Sequence, residues 1–393
     1  MKIEVVDFFY AAMPQVTLEA DGSQDALLVR VAGDDGSFGW GECEASPLTS
    51  IAAFVTPRSH GVCQPVSASV IGRVIKTPED ISSLSSLVSR NSMDLLQAAH
   101  VWSGIEIALW DLLGKKLQEP VWGLLGYSSN FAKTPYASML MGEDANETYK
   151  NVIDVKARGF NAIKIGWGPY GRGNPSFDAE HVLAAREGIG ADGKLLIDAG
   201  QIFGDNIQSA SARIPALEKA DVTWLEEPFS AHSFASYAEL AKKSNLVGLA
   251  GGEAAHCPEM AINLIEFGDI AFIQVDAARI GGISAAKKVA DHAVRKGIKF
   301  VNHTFTSHLA LSASMQAFVG LEEHRLCEYP AFPKQLSFDL SKNHIIPDKN
   351  GEILAPDKPG LGIDLDIPAL EPYLRKVEIL VDDNLIFSSP DLK

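Results

Sequence analysis

Three short apolar runs between Leu195 and Glu253 each end in acid: Leu195-Leu-Ile-Asp198, Thr223-Trp-Leu-Glu226-Glu227-Pro228 and Leu249-Ala-Gly-Gly-Glu253. Asp198 and Glu226 are 28 residues apart, and Glu226 and Glu253 are 27 apart. A strand, a returning helix and two loops take about that much chain, since a parallel crossover needs at least ~10–12 residues. Acids at the C-terminal ends of three successive parallel strands point into one place. Like charges gathered there repel unless a cation sits between them, and hard carboxylate oxygens suit Mg²⁺.

The same strand-then-helix rhythm runs well beyond these three units. Candidate strands are Tyr136–Leu140, Ala162–Trp167, Leu195–Ala199, Thr223–Glu227, Leu249–Gly252, Phe272–Ala277, Lys299–His303 and Arg325–Tyr329. Among the helices between them, Ser284–Lys296 is the clearest, with an apolar stripe of Ala286, Val289, Ala290, Ala293 and Val294, Ser284 as cap and Gly297 as stop. Eight β/α units point to a closed parallel barrel, with a doubly wound sheet as the alternative.

Before this barrel the pattern is α+β. Ile3–Phe9, Ala26–Val31 and Phe38–Glu42 read as strands, with a hairpin turn at Asp34-Asp-Gly36. Residues 11–25 and 43–60 read as irregular loops, which commonly carry specificity. Ile105, Ala108, Leu109, Leu112 and Leu113 give a helix with one apolar face. After Pro330 the alternation stops, and the Pro-rich tail is expected to fold back on the first part. The expected division is a cap (1–127), a barrel (128–330) and a returning segment (331–393).

Composition narrows the function classes. A formal charge of −16 argues against general affinity for nucleic acid or anionic membranes. Cys43, Cys63, Cys257 and Cys327 form no C-x-x-C pair and read as buried thiols in a reducing compartment. No basic-then-apolar leader opens the chain, and no apolar run approaches a membrane span of ~20 residues, so a cytoplasmic location is expected.

Reading the strand ends in order gives Lys164, Asp198, Glu226, Glu253, Asp276, His303 and Glu328. Any one could simply mark where a strand becomes polar; seven in register, all able to ligate metal or move protons, form a site. Asp198, Glu226 and Glu253 are the expected metal ligands. Glu226 and Glu227 alternate across their strand, so Glu226 is expected to face the metal, with Glu227 behind it or paired with a lysine. Asp276 and His303 end neighbouring strands, where a hydrogen bond would fix the imidazole tautomer and make a general base. His256, His308 and Cys257 have no partner in this pattern. Gly166-Trp-Gly168-Pro-Tyr-Gly171 matches a dinucleotide fingerprint, but Pro169, Gly173 and Pro175 delay the next helix, so it reads as a loop at the barrel mouth.

With these residues stand Gly39-Trp-Gly-Glu42, Ala108-Leu-Trp-Asp-Leu-Leu-Gly-Lys115, Pro120-Val-Trp-Gly-Leu-Leu-Gly126, Asp276-Ala-Ala-Arg-Ile-Gly-Gly282 and the stretch from Pro356 to Gly362. Together they resemble the enolase superfamily, most closely its mandelate-racemase-like branch, over nearly the whole chain. The resemblance implies a modified β/α barrel capped by an α+β domain and a homo-oligomer. It also implies a small-molecule carboxylate held on Mg²⁺ and loss of the adjacent carbon-bound proton. It gives Lys164 and Glu328 the task of binding or stabilising the enediolate, and Asp276–His303 that of the base.

One departure bears on the outcome. The branch often carries Lys-x-Lys on the second barrel strand, the second lysine acting as a base on the opposite face; here the segment is Lys164-Ile-Gly166. Asp276 likewise stands where the muconate-lactonising branch would place a lysine. A single base favours β-elimination of water from an acid sugar over racemisation or epimerisation. A non-catalytic metal-binding barrel is the alternative from another class. Substrate contacts are expected from loops 11–25, 43–60 and 167–175, with Arg58, His60, Trp167 and Tyr170 as candidates.

Overall fold

The computed structural model describes residues 1–18, 22–44 and 47–392. Strands β1 (Ile3–Ala12), β2 (Asp25–Gly33) and β3 (Phe38–Cys43) form an antiparallel sheet, turned between β2 and β3 at Gly36, whose φ is 79°. The predicted hairpin is there. The expected irregular stretches are more ordered than their composition indicated: β1 continues to Ala12 and Pro47–Val55 is helical, while residues 19–21 and 45–46 of those loops lie outside the described residues.

On β3, Gly39, Gly41 and Cys43 face the helix His100–Leu117. A Cβ on Gly41 would lie 2.2 Å from the Gly104 carbonyl oxygen, so bare backbone is what lets strand and helix touch. The sequence predicts one apolar face for this helix. Instead every residue from Val101 to Gly114 is buried, because the helix is sandwiched between the sheet and the barrel.

Its buried carboxylates are therefore well bonded. Asp111 accepts from Trp40 N (2.8 Å), Lys115 Nζ (2.6 Å) and, in the tail, Leu361 N (2.9 Å). Glu106 accepts from Ile283 N (2.7 Å), Ser284 N (3.0 Å) and Trp110 Nε1 (2.7 Å). Ser284 is thus not the cap of the helix Ile283–Lys296; Gly282 occupies that position, and the Glu106 carboxylate takes up the first-turn amides.

The barrel strands are β4 (Thr134–Leu140), β5 (Ala162–Gly166), β6 (Lys194–Asp198), β7 (Val222–Glu226), β8 (Gly248–Gly251), β9 (Phe272–Val275), β10 (Lys299–Asn302) and β11 (Leu326–Tyr329). They pair in parallel in the order β10-β9-β8-β7-β6-β5-β4-β11. A doubly wound sheet is excluded, since a single sheet curls until its two edges face each other. No backbone ladder joins β10 to β11. Side chains close that seam: Asn302 Nδ2 donates to Glu328 O (3.2 Å), Asn302 Oδ1 accepts from Glu328 N (2.9 Å), and His324 Nδ1 accepts from Phe300 N (2.8 Å).

Tyr136, Ala162, Leu196, Trp224, Ala250, Phe272, Val301 and Leu326, one from each strand, plug the barrel below its C-terminal mouth. The tail returns to the cap, where β12 (Leu374–Arg375) adds antiparallel to β1. It ends in a hairpin that the sequence pattern did not reveal, β13 (Glu378–Val381) with β14 (Asn384–Ser388). No helix among the described residues is long and apolar enough to cross a membrane.

Candidate active site

The in-register pairs Gly166–Asp198 and Asp198–Glu226 put these positions side by side at the barrel mouth. Glu253 follows β8 by two residues, and Asp276 and His303 directly follow β9 and β10. All seven strand-end residues converge here. Oxygens of Asp198, Glu226 and Glu253 lie within 4.8 Å of one another. Lys164 Nζ reaches into the cluster, 2.6 Å from Glu226 Oε1, 3.2 Å from Asp198 Oδ2 and 3.1 Å from Glu328 Oε1.

Electrostatics follow from this crowding. Burial, and then the neighbouring Asp198, hold the Glu226 carboxyl well above the usual carboxylate range. Burial pulls the Lys164 ammonium down, but Glu226 and Glu328 outweigh it and keep the ammonium well above its ordinary value. Burial opposes the Glu328 charge, yet Lys164 and His303 hold this carboxyl low, so Glu328 is an ionised acceptor. Two buried carboxylates and one half-buried one, with hard oxygen donors and an ammonium beside them, suit a divalent cation of the Mg²⁺ kind.

His303 Nδ1 lies 2.8 Å from Asp276 Oδ2, while Asp276 Oδ1 accepts from Ala278 N at 2.7 Å. The dyad therefore leaves Nε2 facing the mouth, 3.2 Å from Glu253 Oε2. Burial pulls His303 down; Glu253 first, then Glu328, together with the Asp276 hydrogen bond, push it up to about 10.

Glu227 turns away from this cluster at φ 37° and accepts from Gln201 Nε2 (2.7 Å). Its partner is an amide and not the lysine expected as one alternative. Burial, then Glu253, push its carboxyl up to about 8.

A cavity of about 770 Å³ opens from Lys164, Asp198 and His303. Trp167 lines it, but Arg58, His60 and Tyr170 do not. Arg58 bonds to Gln64 (3.1 Å), His60 pairs with Asp94 (2.8 Å), and Tyr170 is buried behind the wall. The next helix begins at Pro175, so the amides of the glycine loop face no helix-terminal anion site. Among the cysteines, Cys43 and Cys327 are buried, while Cys63 and Cys257 are half-buried; all four are free thiols.

Sequence reasoning missed two charged residues of the cavity wall. Arg279 Nε donates to Glu44 Oε2 (2.5 Å), and its Nη1 lies 3.5 Å from Glu253 Oε1. The Asp276-to-Gly282 motif contained Arg279, but nothing in the order of residues showed that a side chain 235 positions away would meet it.

Comparison with known proteins agrees with this geometry. Residues 147–370 match the family model for enolase C-terminal domain-like proteins, and residues 3–126 that for the N-terminal domain of mandelate racemase / muconate lactonizing enzyme. A crystal structure of a predicted mandelate racemase from Rhodobacter sphaeroides is 56% identical, with TM-score 0.96, over 99% of this chain and 100% of that one. The D-galactarolactone cycloisomerase of Agrobacterium fabrum is 28% identical over 361 residues, 88% of this chain and 90% of its own. The D-xylonate dehydratase of Haloferax volcanii is 28% identical over 387 residues, 93% of this chain and 90% of its own. This chain is an enzyme of the enolase superfamily, in its mandelate racemase and muconate-lactonising branch.

Proposed function

We infer that the protein is an Mg²⁺-dependent dehydratase of an acid sugar. The observation that carries this reading is Gly166. It occupies the inward position on β5 where a second base would stand, and a Cβ there would lie 1.9 Å from the Asp198 carbonyl oxygen. Neighbouring backbone fills that space, so proton transfer is confined to the side served by His303.

Asp198, Glu226 and Glu253 would hold the cation, which when bound supplies Lewis-acid stabilisation to the substrate carboxylate. Lys164, oriented by Glu328, adds a buried positive charge where the enediolate develops. A Glu253 that held the cation would no longer supply the strongest of the attractions that keep His303 protonated. Its Nε2 then takes the α-proton, and the electron pair of that C–H bond forms the enediolate. Collapse of the enediolate breaks the β-carbon–oxygen bond, and the hydroxyl leaves as water with the proton returned from His303. The resulting enol becomes a 2-keto-3-deoxy acid.

A library of aldonic and aldaric acids, incubated with the Mg²⁺-loaded protein in D₂O, tests this. Keto acid is the expected product; α-deuterium exchange without keto acid would make the protein a racemase or epimerase instead. His303→Asn should lower the rate by about 10²–10⁴-fold or more. An unchanged rate would mean that this dyad is not the base.

A further inference from the structure

Of the six tryptophans, Trp167 is the one left exposed, at 43%. Trp40, Trp102, Trp110 and Trp224 are all at 5% or below, and Trp122 is half-buried. The exposed indole does not face open surface at random, since it lines the cavity that holds Lys164, Asp198 and His303. Its backbone lies in the left-handed region, with φ 55°. That conformation is uncommon for a bulky aromatic residue, and strain of this kind is held in place by surrounding structure.

That surrounding structure is visible. Trp167 N donates to Asp198 O (3.2 Å), Tyr170 N donates to Trp167 O (3.1 Å), and Arg172 Nε donates to Gly168 O (2.8 Å). The indole lies over Gly200, where a Cβ would sit 2.7 Å from Trp167 Cε2. Gly200 N in turn donates to Asp198 Oδ1 (2.9 Å). The ring is therefore fixed beside a cation-holding carboxylate, with a flat apolar face still in water. An apolar face of this size gains free energy only when something apolar covers it.

We propose that Trp167 is the platform of a distal subsite that takes the carbon-bound-hydrogen face of a carbohydrate chain or ring. The inference rests on the dehydratase reading for the position of the acid end. A polyol acid has such a face together with a hydroxyl edge, and Ser138, Glu44 and Arg279 in the same cavity supply hydrogen-bonding partners for that edge. A short hydroxy acid such as lactate has no extended carbon-bound-hydrogen face to lay against the indole. Trp167 is then what makes the site prefer sugar acids over small 2-hydroxy acids.

Calorimetric titration of the Mg²⁺-loaded protein with aldonates, aldarates and lactate tests this, comparing wild type with Trp167→Ala and Trp167→Phe. The expected result is a loss of about tenfold in sugar-acid affinity in Trp167→Ala, largely recovered in Trp167→Phe. Affinities for lactate and for Mg²⁺ should stay within about twofold of wild type. Sugar-acid binding that survives Trp167→Ala unchanged, or that falls together with Mg²⁺ binding, would overturn the proposal. So would a wild-type protein that binds none of the sugar acids. A wild type that binds them through Trp167 but forms no keto acid would leave the subsite standing and refute the dehydratase.

Discussion

Asp198, Glu226 and Glu253 approach one another so closely that, with Lys164 as the nearest positive charge, the folded state holds more acid than it neutralises. A bound cation relieves that repulsion in the folded chain and not in the unfolded one. Mg²⁺ should therefore raise the thermal midpoint, by an amount equivalent to about 2.7 kcal/mol at a hundredfold excess over its dissociation constant. Asp198→Asn should abolish most of the shift, and a full shift in that variant would place the cation elsewhere. This acidic cluster was legible in the sequence because parallel strands repeat every two residues and end at one face, so spacing alone brings the acids together. Arg279 and Glu44 were not. Their meeting depends on how the cap lies against the loop after β9, which no local period encodes.

Among the elements, the contact of β3 with His100–Leu117 shows how a motif can be visible while its cause is hidden. Gly39-Trp-Gly-Glu42 stands out in the sequence, but only packing explains its glycines. Glu42 on the opposite face accepts a hydrogen bond from Ser307 Oγ, four residues after His303, so the strand joins the cap to a loop of the active site. Gly41→Ala would force a methyl group into the Gly104 carbonyl and push strand and helix apart. The expected cost is about 1–3 kcal/mol, read as a lower urea midpoint with unchanged far-ultraviolet dichroism. A midpoint equal to wild type would show that the two elements can part freely. The helix itself was mis-pictured as amphipathic. An apolar stripe marks only the first surface a helix covers, whereas Glu106 and Asp111 are buried because distant amides come to them.

Across the whole molecule, the eight strands were readable from their rhythm, but the way the barrel closes was not, since β10 and β11 meet through side chains. His324 is part of that closure. Burial, with help from Lys299 and Lys133, pulls its imidazole down to about 4, and its Nδ1 must stay unprotonated to accept from Phe300 N. A histidine held below its unfolded value of ~6.5 contributes stability that is complete above that pH. The contribution is lost as pH falls toward 4, because the unfolded chain takes up the proton first. Buried acids such as Glu42 and Glu106, which burial pushes up to about 7, act in the opposite direction over an overlapping range. The total pH profile therefore hides the seam, and a comparison of variants exposes it. His324→Leu leaves Phe300 N without its acceptor and should lower the urea midpoint clearly at pH 7.5. At pH 5 the wild type has already lost much of the same contribution, so the gap between the two proteins should narrow. A gap of equal size at both pH values would mean that His324 fills space at the seam without serving as its acceptor.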